Sequence, residues 1–217
     1  MRITVNTLTL LVITACFSSQ TFANLAQYVH VRESVFWQQL YTQNYHTLYC
    51  AIHKKAGEKV NIAHVYPTAW MANAMRCSSE EDCDFARYRD ASSDLHNLWP
   101  MISPAKDIRR HYIFLEGDKE KGQRQDCNMI VYPKGIEPRE WAKGEIARSL
   151  LYIIWKYDLP DYEQLDLLLK WHKKYPANAE EKWRNDKIIA IQGNDNPFIS
   201  AKHFEQKAFP NHGNAGE

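Results

Sequence analysis

Ile146, Leu150, Ile153, Ile154 and Tyr157 recur at the spacing of one helix face, and a segment patterned this way buries its apolar stripe only as an α-helix. Asp161 with Gln164 has the pattern of a capping box, opening a second helix with Leu165, Leu168, Leu169 and His172 on one face. A third helix is expected from about Ala179 to Gln192, stopped by Gly193. The first meaning of such stripes is core. Only 8 glycines occur in 217 residues, too few for an all-β fold built on tight turns. The expectation is therefore a helix-rich α+β class, in one domain with a small antiparallel sheet. Upstream, a first amphipathic helix is expected from about Gln27 to Asn44, a helix over Trp70 to Met75, and a strand over Asn128 to Tyr132.

The start of the chain reads as an export signal over residues 1–23, leaving a domain over 24–217. Arg2 supplies the positive end, Leu8 to Ala15 the apolar stretch, and Thr21-Phe22-Ala23 a small-residue cleavage site. Ile13-Thr14-Ala15-Cys16 also fits a lipoprotein cleavage site, so a lipid anchor at Cys16 stands as the alternative. No later stretch has the roughly 18 uninterrupted apolar residues that a membrane span needs. A periplasmic or secreted monomer is expected.

Export lets cysteines pair. Cys50, Cys77, Cys83 and Cys127 allow three connectivities. Cys77 with Cys83 closes a short polar loop, which favours that pair and leaves Cys50 with Cys127. A four-cysteine zinc site would need close C-x-x-C pairs, and none is present. Without Arg2 the chain carries 26 basic and 26 acidic residues, so a nucleic-acid ligand would require a local basic patch.

Lys59 to Ile62 reads as a short strand delivering Ala63-His64-Val65-Tyr66-Pro67. There follow a cysteine-closed loop, the run Ser93-Asp94-Leu95-His96-Asn97-Leu98-Trp99-Pro100, and a helix start at Ser103-Pro104, with serine as N-cap and proline at the first helical position. A histidine at a strand end before such a loop and helix has the layout of a ββα finger. There the imidazole deprotonates water while a cation or helix start opposite neutralises a phosphate. An exported zinc hydrolase would need clustered ligands such as H-E-x-x-H. His46 and His53 are the nearest approach to such a cluster.

Several runs in one order carry a wider likeness: Leu48-Tyr49-Cys50, His64-Val65-Tyr66-Pro67 with Trp70, Asp94-Leu95-His96-Asn97-Leu98 with Pro100, Glu137-Pro138, Lys143-Gly144-Glu145-Ile146-Ala147-Arg148, and Gln192 to Phe198. On these the chain resembles the endonuclease I family of secreted and periplasmic bacterial nucleases, within the ββα-metal (His-Me finger) superfamily. The resemblance implies that fold, hydrolysis of DNA and often RNA, and Mg²⁺ as cofactor.

Departures from the family pattern fall at its site. Where the family places a glutamate ligand before the histidine stands Ala63, and where it places an asparagine ligand stands Lys106. Glu80, Glu81 and Asp82 occupy the loop expected to carry a phosphate-binding arginine. Alanine and lysine offer Mg²⁺ no oxygen ligand. A lysine in a first helical turn opposes the macrodipole and suggests a bound anion. One reading therefore makes Lys106 the electrostatic substitute for the metal, with Arg109 or Arg110 on the phosphate. A second makes Lys106 a solvated lysine on a degenerate nuclease that binds nucleic acid without cutting it. A third keeps a hydrated metal on Asn97. Arg148 is a phosphate contact or the partner of an acid such as Glu137, and Arg184 is a candidate backbone contact. Asp94, His96 and Asn97 are expected chiefly to brace the finger.

Overall fold

The computed structural model describes residues 31–212. The export signal and Cys16 lie outside the described residues, as does the expected start of the first helix.

A helix-rich α+β architecture is built around one central helix. This helix, α5 (Ala142–Tyr157), buries Ile146, Leu150, Ile153 and Ile154 as its stripe requires, and also Ala147, Leu151 and Tyr152 on other sides. It is thus a core helix rather than a half-exposed one. Asp158 ends it in the left-handed region at φ 47°. Against it packs α6 (Leu165–Lys174), whose buried residues are Leu165, Leu168 and Trp171. The expected capping box does not form. Tyr162 and Glu163 break the chain at φ 52° and 61°, and the Gln164 Oε1 that would have accepted the Asp161 amide accepts the Phe114 N–H at 2.6 Å instead, while its Nε2 donates to the Asp161 carbonyl at 3.1 Å. The third helix, α7 (Ala179–Gln192), follows expectation: Asn178 accepts the Glu181 N–H at 2.8 Å, and Gly193 closes it at φ 80°.

Upstream, α1 (Val31–Leu40) is π-helical, with the Tyr41 N–H reaching the Phe36 carbonyl five residues back, and it stops at Leu40 rather than Asn44. Phe36, Trp37, Leu40 and Tyr41 form a second apolar cluster with Tyr45, Leu95, Leu98 and Ile188. Strands β1 (Tyr45–His46) and β2 (His53–Lys54) make a small hairpin.

The pair that positions the site is β3 (Asn61–His64) with β4 (Leu98–Met101), antiparallel, in the register Asn61 to Met101 and His64 to Leu98. The strand lies two residues later than expected and includes His64. Between its partners run α2 (Thr68–Ala74) and α3 (Ala86–Ser93), and after β4 comes α4 (Ser103–Arg109). Strands β5 (Ile113–Phe114), β6 (Gln123–Arg124), β7 (Ile130–Tyr132) and β8 (Gly135–Glu137) form one sheet in the order β5-β8-β7-β6. That sheet is mixed, not antiparallel, because β5 joins β8 in parallel. Strand β7 begins at Ile130 because Cys127 and Asn128 sit at φ 63° and 54°, outside the extended region. Two short helices, α8 (Pro197–Ser200) and α9 (Phe204–Ala208), close the chain.

Disulfides join Cys50 to Cys127 and Cys77 to Cys83. The second closes the loop between α2 and α3. No helix among the described residues is long and apolar enough to cross a membrane.

Candidate active site

His64 ends β3 half-buried, and its ring Nε2 lies 2.8 Å from the Ser92 carbonyl in the last turn of α3. A carbonyl only accepts, so Nε2 carries the proton and the neutral ring has its lone pair on Nδ1. Burial lowers the His64 pKa below the ordinary histidine value. The Ser92 carbonyl and the charge of Glu80 pull upward without overcoming it. The imidazole therefore stays neutral and able to take a proton near neutral pH.

Two groups lock the strand end that presents this ring. Asn97 clamps the backbone just beyond it, with Oδ1 accepting the Tyr66 N–H at 2.7 Å and Nδ2 donating to the Tyr66 carbonyl at 3.0 Å. Arg109 donates from Nη2 to the Val65 carbonyl at 3.1 Å and from Nη1 to the Tyr112 carbonyl, while its guanidinium lies 4.3 Å from the centroid of the Phe114 ring. At the other end of α4 the Ser103 hydroxyl accepts from Asn61 Nδ2 at 3.0 Å. Helix α4 thus lies along β3, from Asn61 to Val65.

These contacts revise several expectations. Ser103 is the first helical residue rather than the N-cap, since Ile102 holds the cap position and Pro104 comes second. Lys106 is consequently the fourth residue of a seven-residue helix, beyond the first-turn amides, and the dipole argument for an anion there lapses. Lys106 is exposed, and among the described residues it has no ion-pair partner. Arg110 follows it by four residues, exposed, with Nε held by the Asp107 carbonyl at 3.0 Å.

Arg109, Arg148 and Arg184 are buried and cannot reach a phosphate in solution. The partner of Arg148 is Glu181, not Glu137, with Nη1 on the Tyr175 carbonyl at 2.6 Å. Gly144 leaves the space for this, because a Cβ there would meet the Tyr175 carbonyl oxygen at 2.4 Å. Arg184 lies 3.9 Å from the centroid of the Trp99 ring and donates to the Leu95 and Leu98 carbonyls at 2.5 and 2.6 Å. It binds protein backbone between the two apolar clusters rather than nucleic-acid backbone.

The donor set does not fit the family's Mg²⁺. Ala63 is a buried methyl, Lys106 is a cation, and both amide atoms of Asn97 are engaged with Tyr66. Among the described residues no group of three or more His, Cys, Asp or Glu side chains is placed to hold a metal ion. Glu137 instead forms, with Glu116 and Glu140, a carboxylate set around the buried Lys143 ammonium at 2.8 to 3.4 Å.

Sequence reasoning missed Ser92. A backbone carbonyl has no signature in side-chain identity, and the one available signal was its position two residues before the Asp-Leu-His-Asn run. Asp94, expected to brace the finger, has a carboxylate that collects donors from three separate segments.

The family model for endonuclease I matches residues 19–203. A periplasmic deoxyribonuclease of Aeromonas hydrophila is 32% identical over 149 residues, 65% of this chain and 63% of that protein. An endonuclease-1 of Buchnera aphidicola is 29% identical over 186 residues, covering 77% of this chain and 74% of the relative. An extracellular ribonuclease of Bacillus amyloliquefaciens is 30% identical over 144 residues, 54% and 46% of the two chains. With most of its length matched and the histidine strand and Asp-Leu-His-Asn turn folded together, the chain belongs to the endonuclease I family.

Proposed function

We propose that this protein is an exported nuclease, periplasmic or secreted, that hydrolyses phosphodiester bonds of DNA and also of RNA, with His64 as general base. The pair β3–β4 with α4 is read as its ββα finger. The observation that carries this reading is the hydrogen bond from His64 Nε2–H to the Ser92 carbonyl, which directs the basic lone pair to Nδ1. In the step envisaged, Nδ1 takes a proton from water while the water oxygen bonds to phosphorus. The P–O bond to the leaving sugar oxygen breaks, and solvent protonates that oxygen. Lys106 on the exposed side of α4, with Arg110 just past the end of that helix, supplies positive charge to the phosphate in place of a metal. The deoxyribonuclease and ribonuclease names of the relatives support both substrates.

Ala63 and Lys106 at the family's ligand positions also favour a second reading, a nuclease scaffold that binds nucleic acid without cutting it. Incubating the purified full chain with supercoiled plasmid, in EDTA and in Mg²⁺, separates the two. Nicking in both buffers that disappears in His64→Ala supports the proposal. Equal cutting by wild type and variant removes His64 as base, and loss of cutting in EDTA removes the lysine-for-metal assignment. Salt-sensitive DNA binding without cleavage establishes the second reading.

A further inference from the structure

Helix α3 ends at Ser93, and the chain turns extended at Asp94, with φ −66° and ψ 121°. The last carbonyls of a helix lack an amide partner only because the chain stops supplying one. Had α3 continued, the Ser92 carbonyl would have received the N–H of the residue four positions on, His96. That N–H goes instead to Asp94 Oδ1 at 2.9 Å. The Ser92 oxygen is left for a different donor, and the donor it receives is His64 Nε2–H.

Asp94 is held in place for this task from several directions. Its carboxylate is 2% exposed, and Oδ2 accepts from the hydroxyls of Tyr157 at 2.8 Å and Tyr152 at 3.0 Å, both on α5. Lys156 Nζ lies 3.3 Å away and Asn194 Nδ2 3.2 Å away, while Gln192 Nε2 donates to Oδ1 at 2.9 Å. Burial pushes this carboxyl upward, but His96, Lys156 and Gln192 outweigh it and hold the group ionised, below the usual carboxylate range. An ionised, over-determined acceptor is what competes best against a helical carbonyl for one amide.

We infer that Asp94 is a positioning residue for the general base: its carboxylate captures the His96 N–H, which ends α3 and reserves the Ser92 carbonyl for His64, so that Asp94 selects the tautomer in which Nδ1 is the base. The inference rests on the nuclease reading for its consequence in catalysis, but the tautomer itself is measurable without any substrate. Asp94 touches neither water nor phosphate in this scheme. It acts through one amide and one carbonyl.

The test is long-range ¹H–¹⁵N NMR of the His64 ring in the full oxidised chain, with plasmid kinetics alongside. Wild type is expected to show a protonated Nε2 and an unprotonated Nδ1. Asp94→Ala, which removes the side-chain acceptor of the His96 N–H, is expected to give mixed tautomers and to lower kcat at least about tenfold, part of the roughly 10²–10⁴ that a placed base supplies, with KM nearly unchanged. Asp94→Asn keeps the Oδ1 acceptor and is expected to retain the wild-type tautomer. An unchanged tautomer in Asp94→Ala, or equal loss in the Asn and Ala variants, overturns the inference. Should Asp94→Ala not fold, the wild type decides: a through-hydrogen-bond coupling from the His96 amide to the Asp94 carboxyl carbon supports it, and one to the Ser92 carbonyl carbon overturns it. A wild-type chain that cuts no phosphodiester defeats the nuclease reading, while the tautomer measurement still decides the role of Asp94.

Discussion

Arg148 meets Glu181 inside the core through two parallel hydrogen bonds, Nε to Oε1 at 2.7 Å and Nη2 to Oε2 at 2.6 Å, with both side chains at most 2% exposed. A buried pair of this kind is costly to break because the survivor is left charged and desolvated. Arg148→Leu is expected to lower unfolding free energy by about 3–5 kcal/mol. Adding Glu181→Leu should recover most of that loss in urea titrations. An effect below about 1 kcal/mol for the single variant would show that Glu181 finds solvent or another partner.

Replacing the exposed cations should divide rate from binding if Lys106 faces the reacting phosphate. Lys106→Gln is expected to reduce kcat on plasmid roughly 10²-fold, the scale of one lost electrostatic stabiliser. Arg110→Gln is expected to act mainly on KM and to flatten its salt dependence. Equal, small changes from both would make them solvated surface residues.

Acid stability should be set in part by His96. Its ring is pushed down to about 4, chiefly by burial, with the Asp94 charge opposing. Between that value and the ordinary 6.5, the unfolded chain binds a proton that the native ring refuses. Stability is therefore full above pH 6.5 and lost as pH falls through this window, by on the order of 3 kcal/mol. Urea midpoints of wild type against His96→Gln at several pH values should show the slope only in wild type.

Glu145 works at the other side of neutrality. Burial, with Glu181 and Glu180 adding to it against Arg139 and Arg148, pushes its carboxyl up to about 8 from 4.5. The native state holds a proton that the unfolded state has released across that interval, so stability falls as pH rises from 4.5 to about 8. In Glu145→Gln this decline should vanish, with little change below pH 5, as thermal melts across the range would register.

The two disulfides should contribute unequally. Cys50–Cys127 spans a separation of 77 residues and Cys77–Cys83 one of 6. Loop entropy then assigns about 4.5 kcal/mol to the first and about 2.4 kcal/mol to the second. Serine pairs at each site, compared by urea unfolding, are expected to follow that order. The short bridge should nonetheless weigh more on activity, because it closes the loop leading into α3 and Ser92.

Much of this could be read in advance. The stripe from Ile146 to Tyr157 announced α5, and Gly193 marked the end of α7, because helical periodicity and left-handed caps are local properties of adjacent residues. Boundaries slipped where distant groups competed. Gln164 left its capping role for the Phe114 amide, and Ser103 turned its hydroxyl to Asn61. Arg148 and Arg184, candidates for a phosphate on sequence, are both held inside the fold. Charge is visible in a sequence, but the acceptors that engage it come from far along the chain, the Glu181 carboxylate 33 residues from Arg148 and carbonyls 86 or more residues from Arg184.

Residue identity alone determined the helix-rich class, the family resemblance and His64 as the candidate base, since each depends on which side chains occur and in what order. Tertiary structure alone decided which nitrogen of that histidine faces the Ser92 carbonyl, which cations face solvent, and that both amide atoms of Asn97 are engaged with Tyr66. Those outcomes are settled by competition for single hydrogen bonds and by desolvation, and both depend on what long-range folding brings within about 3 Å.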